Sequence, residues 1–218
     1  MATETADATA PQKPRKRGRG ADPEQTKSEL IEAATRSLIE DGFRGTTARS
    51  IANRADCNQA AIYYHFGGIE DLLIAALTRS SAERLERYEA AVDDDHTLVE
   101  VVETIERLYK DDVASGHMAL LTELVGGITA SPNIRSGIEA TIEPWIDFVE
   151  ARVRHASEHV DFGALLPAAD IADLVFSIVV GVELRNRLDG RDDRADRLFR
   201  LAKLAAAMAT QTNVDAMT

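Results

Sequence analysis

Four groups of residues have types and spacings that could do chemistry. Asp93-Asp94-Asp95-His96 is a cluster of metal-ligand types. His155 and His159 stand four apart, the spacing that lets two imidazoles grip one metal from one helix face. Cys57 is the single cysteine, so no intramolecular disulfide forms and a four-cysteine zinc site is excluded. The fourth group is Gln59-Ala60 followed by Tyr63-Tyr64-His65. Glutamine can bond an adenine edge in bidentate fashion, and a small alanine fits against a thymine methyl. Tyrosine hydroxyls reach phosphate oxygens.

The first three groups have plainer readings that outweigh the chemical ones. The acidic cluster lies between two predicted helices and reads as a solvated loop that caps the next one. The histidine pair is flanked by Arg154 and Glu158 near a helix end and reads as solvated surface. Cys57 reads as a passive small residue at a turn. The chain has no G-x-S-x-G, no phosphate loop and no Cys/His pair at catalytic spacing. The expectation is therefore a protein that is not an enzyme and needs no metal or cofactor. An all-helical enzyme using acidic or histidine pairs in the C-terminal part is the competing class.

The Gln59–His65 group needs an element to present it. Residues Thr46 to Phe66 read TTARSIANRADCNQAAIYYHF. A short helix opens at Thr46-Thr47, which are cap-type residues, and ends at Asp56-Cys57-Asn58. Asn58 caps a second short helix, from about Gln59 to Phe66, which Gly67-Gly68 breaks. Two short helices across a tight connection make a helix-turn-helix, with the second helix offered to a groove. Ala52, Ala55 and Ala61 allow close approach, and Ile51 and Ile62 fill the space between. An earlier helix, opened by Asp22-Pro23 and stopped at Asp41-Gly42, supplies Leu30, Ala34 and Leu38 as a third wall. The helix start at Thr46-Thr47 favours a phosphate. Arg49 and Arg54 add positive charge, and His65 suits a helix-end or phosphate-contacting role.

Charge is distributed to match. The 218 residues are 44% hydrophobic and 28% charged, ordinary for a globular protein, with a formal net charge of −12. That total alone argues against nucleic acid. Yet residues 11–67 hold ten basic and seven acidic side chains, while residues 68–218 hold fifteen and twenty-eight. A slightly basic head precedes an acidic body, so residues 11–67 should face a polyanion and the body should face away. Residues 1–20 contain no large apolar side chain and are expected to be a disordered basic arm. From it, Arg17 and Arg19 could reach an adjacent minor groove. No apolar run spans a membrane or serves as a secretory signal, and the cysteine usage fits the reducing cytoplasm.

The stretch from about Glu24 to Leu73 resembles the N-terminal domain of TetR-type transcriptional regulators. The residues that carry the likeness are Ile31-Glu32-Ala33-Ala34, Gly42-Phe43, Thr46 to Ala52, Ala55, Ala61 to Phe66, and Glu70 to Leu73. The resemblance implies a repressor that binds a palindromic operator as a homodimer. It also implies a C-terminal helical domain with a small-molecule pocket, and DNA release when that pocket fills. The family's usual turn glycine is replaced by Asp56, which tolerates the left-handed region. Asn58 stands where Ser or Thr is common, and Ile69 where a phosphate-contacting lysine is frequent. The implied fold class is all-α. It divides into an arm (1–20), a helix-turn-helix DNA-binding domain (21–67) and a helical ligand-binding and dimerisation domain (68–218). Expected DNA contacts are Arg17, Arg19, Thr46, Thr47, Arg49, Asn58, Gln59, Ala60, Tyr63, Tyr64 and His65.

The body reads as helices at about 69–91, 96–114, 116–128, 133–159, 168–188 and 192–211, with Pro144 expected to kink or split the fourth. The last two are apolar and rich in small residues, and by resemblance they pair with their copies in the dimer. The pocket is expected among the middle helices, lined by Tyr109, Met118, Leu121, Leu124, Trp145, Phe148 and Phe176. The effector itself is not legible in the sequence.

Overall fold

The computed structural model describes residues 22–125, 131–159, 167–191 and 193–216. The expected arm, with Arg17 and Arg19, and the side chain of His159 lie outside the described residues. Among the described residues there are nine α-helices and no strand. They are α1 (Pro23–Gly45), α2 (Ala48–Arg54), α3 (Gln59–Phe66), α4 (Ile69–Ala91), α5 (Leu98–Ala114), α6 (His117–Val125), α7 (Pro132–His159), α8 (Ala168–Asp189) and α9 (Asp193–Ala216).

The caps explain the boundaries. Asp22 accepts the Glu24 amide at the start of α1, with Pro23 next. Thr47 and Ser50 close a reciprocal capping box on α2. Asn58 accepts the Ala60 amide of α3, and Gly67 ends that helix in the left-handed region at φ 82°. Asp56 takes φ 49° in the turn between α2 and α3, as its short polar side chain allows. Gly42 kinks α1 at φ 70°, ψ 175°, a conformation essentially restricted to glycine.

Two expectations are corrected. The acidic cluster does not cap α5; Thr97 does, through a capping box with Glu100. Asp94 instead pairs with Arg152 at 2.7 Å, while its carbonyl meets Nε2 of His155. Of the kink or split expected at Pro144, the split does not occur: α7 runs through the proline as one helix. The proline is exposed, while Thr141, Trp145 and Phe148 pack inward and keep both halves in register. The expected solvated His155 is thus tied to the Asp94 loop, and no group of three metal-ligating side chains occurs among the described residues.

Packing is uneven along the molecule. One continuous core joins Leu30, Ala34 and Leu38 of α1, Ile51 of α2 and Ile62 of α3 to Leu72 and Ala76 of α4, Leu120 and Leu124 of α6, and Ile134 of α7. Each such apolar side chain contributes about 1.5–3 kcal/mol on burial. This core crosses the expected boundary at 67/68 without a break. Gly116 and Gly137 set the spacing. A Cβ at Gly116 would lie 2.7 Å from Ile39, and one at Gly137 2.6 Å from Ile74, so α6 and α7 approach α1 and α4 closely. The far end of the body has only two small clusters, around Tyr88, Leu108 and Phe148 and around Tyr109, Met118 and Val182. There α8 packs mainly on α7, and α9 mainly on α5.

Candidate nucleic-acid interface and the cavity behind it

The helix-turn-helix is held from inside. Ile51, Ala52 and Ile62 are fully buried, and Cys57 is buried at the turn beside them. The outward side of α3 carries Ala60, Tyr63 and Tyr64, the tyrosines 58% and 82% exposed. Large aromatic side chains this exposed bury little in the protomer, so much of their surface is available to another molecule. Gln59 and His65 are half-buried at the two ends of α3, and His65 meets Tyr64 edge-on. Thr47, Arg49 and Asn58 are exposed on the same side, although the Thr47 and Asn58 side chains also serve as caps.

Two residues differ from the rest. Thr46 is buried; its hydroxyl donates to the Gly42 carbonyl at 2.8 Å and its amide to the Gly42 and Phe43 carbonyls, so it offers neither group to an anion, unlike the contact expected of it. Arg54 is held by Glu40 and by Asp41 at 3.1 Å, which locks α2 to α1. Its bond to Glu40 raises its pKa further. Arg49 makes no ion pair among the described residues and supplies the uncommitted charge of this surface.

Behind the head lies a cavity of about 440 Å³ enclosed by α4 to α9. Of the residues expected to line it, Tyr109, Met118, Leu121, Trp145, Phe148 and Phe176 do. Leu124 does not; it is fully buried in the head core. The reason is helical phase. Leu120 and Leu124, four apart, face α1, whereas Met118 faces the cavity, and Leu121 between them lines the cavity and also packs against the head core.

The cavity wall is almost wholly apolar, but charge stands within it. Asp112 of α5 is completely buried and accepts from Arg84 Nε at 2.8 Å, from Arg87, and from the Tyr88 hydroxyl at 3.0 Å. Burial first, and then the Asp112 charge, push the Tyr88 phenol well above its ordinary pKa. Tyr109 bonds Glu183 of α8, and burial followed by that bond raises its phenol too. Both tyrosines are therefore neutral donors. The Trp145 indole donates to Ser81 at 2.7 Å, and the Arg84 guanidinium sits 5.0 Å above its ring.

Head and body are also joined by a residue that sequence reasoning passed over. Glu123 of α6 accepts the Phe43 amide at 2.8 Å, just past the Gly42 kink, and pairs with Arg187 of α8. Its signal was a lone carboxylate in the apolar run HMALLTELV. A charge there needs partners.

This geometry defines a class: an all-helical protein with an exposed helix-turn-helix in front and a cavity-bearing helical body behind. Residues 30–76 match the family model described as bacterial regulatory proteins, tetR family. The chain is 29% identical over 151 residues to the HTH-type transcriptional repressor AcnR of Corynebacterium glutamicum, covering 67% of this chain and 72% of that one. Its fold is that of the regulatory protein TetR from Rhodobacter sphaeroides (TM-score 0.70, 18% identity, 82% of this chain and 97% of that one). It is also that of a transcriptional regulator from Saccharomonospora viridis solved in complex with choline (TM-score 0.65, 19% identity, 82% and 94%). The family-model match, the repressor relative and the shared fold together support a transcriptional regulator of the TetR family, whose members bind DNA and form dimers. Among the described residues no helix is long and apolar enough to cross a membrane.

Proposed function

We propose that this protein is a repressor that holds a palindromic operator as a dimer and lets go when a small molecule fills the cavity behind its head. The observation that carries this reading is the two-sided helix α6. Met118 and Leu121 line the cavity, while Leu120 and Leu124 of the same nine-residue helix are locked in the core of the DNA-binding head. A ligand pressing on one face of α6 displaces the other, because the head side is close-packed. Glu123 carries the same displacement to the Phe43 amide. The head then tilts, and the free energy of ligand binding appears as lost operator affinity. The helix α4, which continues from head into body, tilts with it.

In this reading residues 21–67 are the DNA-binding unit. Tyr63 and Tyr64 meet the groove and its phosphates, Gln59 and Ala60 read bases, and Thr47, Arg49, Asn58 and His65 flank them. Arg17 and Arg19 of the arm add contacts outside the major groove. The dimer forms through α8 and α9. Leu174, Ile178, Leu184 and Leu188 of α8 and Leu201, Leu204 and Met208 of α9 are all exposed in the protomer, an apolar extent that supports burial against a second copy. A two-fold pair would set its recognition helices one helical turn apart, ~34–36 Å. The choline held by the Saccharomonospora viridis regulator supports a small-molecule role for this kind of body.

The test is selection of bound sequences from random DNA by the full-length protein, followed by salt titration on the selected site. The expected product is an inverted repeat, with affinity falling steeply as salt rises and a shallower slope after deletion of residues 11–20. Recovery of no enriched sequence would overturn the reading.

A further inference from the structure

We infer that the cavity is built for an elongated apolar molecule ending in a single negative charge, such as a medium-chain carboxylate, with Arg84 as the residue that receives the charged end. This rests on the reading of the cavity as the effector site. Three observations converge on it.

The first is a charge imbalance. Arg84 and Arg87 share one carboxylate, Asp112, which is wholly buried. Two guanidiniums thus share one carboxylate at this end of the wall, and the other buried carboxylate, Glu183, is bonded to Tyr109 instead. Arg84 is the more buried of the pair, its side chain 12% exposed against 47% for Arg87. A buried charge in surplus is costly unless a counter-ion meets it. His117 reports the same field: burial and then the Arg84 charge lower its pKa.

The second is the free valence of Arg84. Its Nε donates to Asp112 and its Nη2 to the Met118 sulfur at 3.1 Å. Nη1 donates to no carboxylate among the described residues, and a carboxylate is the group that a guanidinium edge recognises best. A cationic ligand is disfavoured at the same spot. The Trp145 face that would take an ammonium is already covered by the Arg84 guanidinium.

The third is shape. On α7 the lining runs from Thr141 to Ala156, about 22 Å of helix at 1.5 Å per residue. Beyond Arg84 the wall offers mainly Val101, Val149, Val179, Phe199 and Ala202. The other charged lining residue, Arg152, has its charge matched by Asp94 at the solvent-facing loop, while its Nε is buried without a partner and its guanidinium lies 5.9 Å from the Phe148 ring. One charged end and a long apolar remainder match this outline. A compact polyanion would leave most of the wall unfilled and its extra charges unpaired.

Trp145 is the chain's single tryptophan and lies under Arg84, so its fluorescence reads cavity occupancy without DNA. The experiment titrates the full-length protein with decanoate, decan-1-ol and decyltrimethylammonium at matched ionic strength. Decanoate is expected to shift Trp145 emission at least tenfold more tightly than the alcohol, and the cation to bind weakest. In Arg84→Gln, where Arg87 still neutralises Asp112, decanoate affinity should fall about tenfold or more and that of the alcohol should not. Equal binding of acid and alcohol, or an unchanged acid affinity in Arg84→Gln, would overturn the anion assignment while leaving the cavity as effector site. No Trp145 response to any of the three would overturn both. Binding of decanoate without operator release would overturn the release reading alone.

Discussion

The two faces of α6 stand in very different surroundings. Toward α1 the helix is embedded in a core where Leu120 and Leu124 have no exposed surface. Toward α7 and α8 it borders open space, with Met118 and Leu121 on the rim. The head is a solid and the body is a shell. A solid holds the recognition helix at one angle, and a shell can change shape when something enters it. The contrast lies within one helix, so a single residue step moves from one regime to the other.

The sharpest way to break that contrast is to make the same substitution on both faces. Leu124→Ala is expected to cost about 3–4 kcal/mol of unfolding free energy, because a cavity opens in packed surroundings. Leu121→Ala should cost less, about 1–2 kcal/mol, since its side chain borders the cavity on one side and packs on the head core with the other. Urea denaturation of both variants checks this, and equal losses would show that the two faces are packed alike. Next comes Gly116→Ala. Its φ of 79° and the 2.7 Å approach to Ile39 predict a loss of about 2 kcal/mol, read as a lower denaturation midpoint.

Tyr64→Ala should leave unfolding free energy within about 0.5 kcal/mol, because the ring is 82% exposed. Operator affinity should nevertheless fall at least tenfold, about 1.4 kcal/mol, in a mobility-shift titration. Unchanged affinity would displace the recognition face from this side of α3. The smallest effect belongs to Asp189 at the end of α8. Its bond to Arg194 lowers its pKa to about 2 from 3.8. A carboxyl depressed in the folded state contributes stability above its unfolded pKa and loses it as pH falls through the folded value. The melting temperature of Asp189→Asn should therefore sit slightly below that of the parent at neutral pH. The two curves should converge as pH drops from about 4 toward 2.

The head was legible in sequence because local rules decide it. Asp56 in the turn, Asn58 and Thr47 as caps and Gly67 as stop are each dictated by backbone geometry within a few residues. The exposed Tyr63 and Tyr64 follow from the phase of an eight-residue helix. The body was legible only as helices. Arg84 and Asp112 are 28 residues apart, and Glu123 and Arg187 are 64 apart. No local pattern announces such pairs. Leu124 was assigned to the pocket because its helix touches the pocket, and only the packing of α6 on α1 shows which face it takes. The acidic loop was misread for a related reason: carboxylates near a helix start suggest a cap, but Thr97 is one residue away from the helix and takes the position first.

The core that joins Leu30, Leu38, Ile51 and Ile62 to Leu120, Leu124 and Ile134 makes the DNA-binding unit inseparable from its support. A fragment ending at residue 67 would leave that apolar surface open to water and should aggregate rather than fold. Exchange of heads between related regulators is restricted in the same way. A transplanted helix-turn-helix must bring compatible partners on α4, α6 and α7, so substitutions on the exposed outer face of α3 disturb the fold far less than a swap of the module.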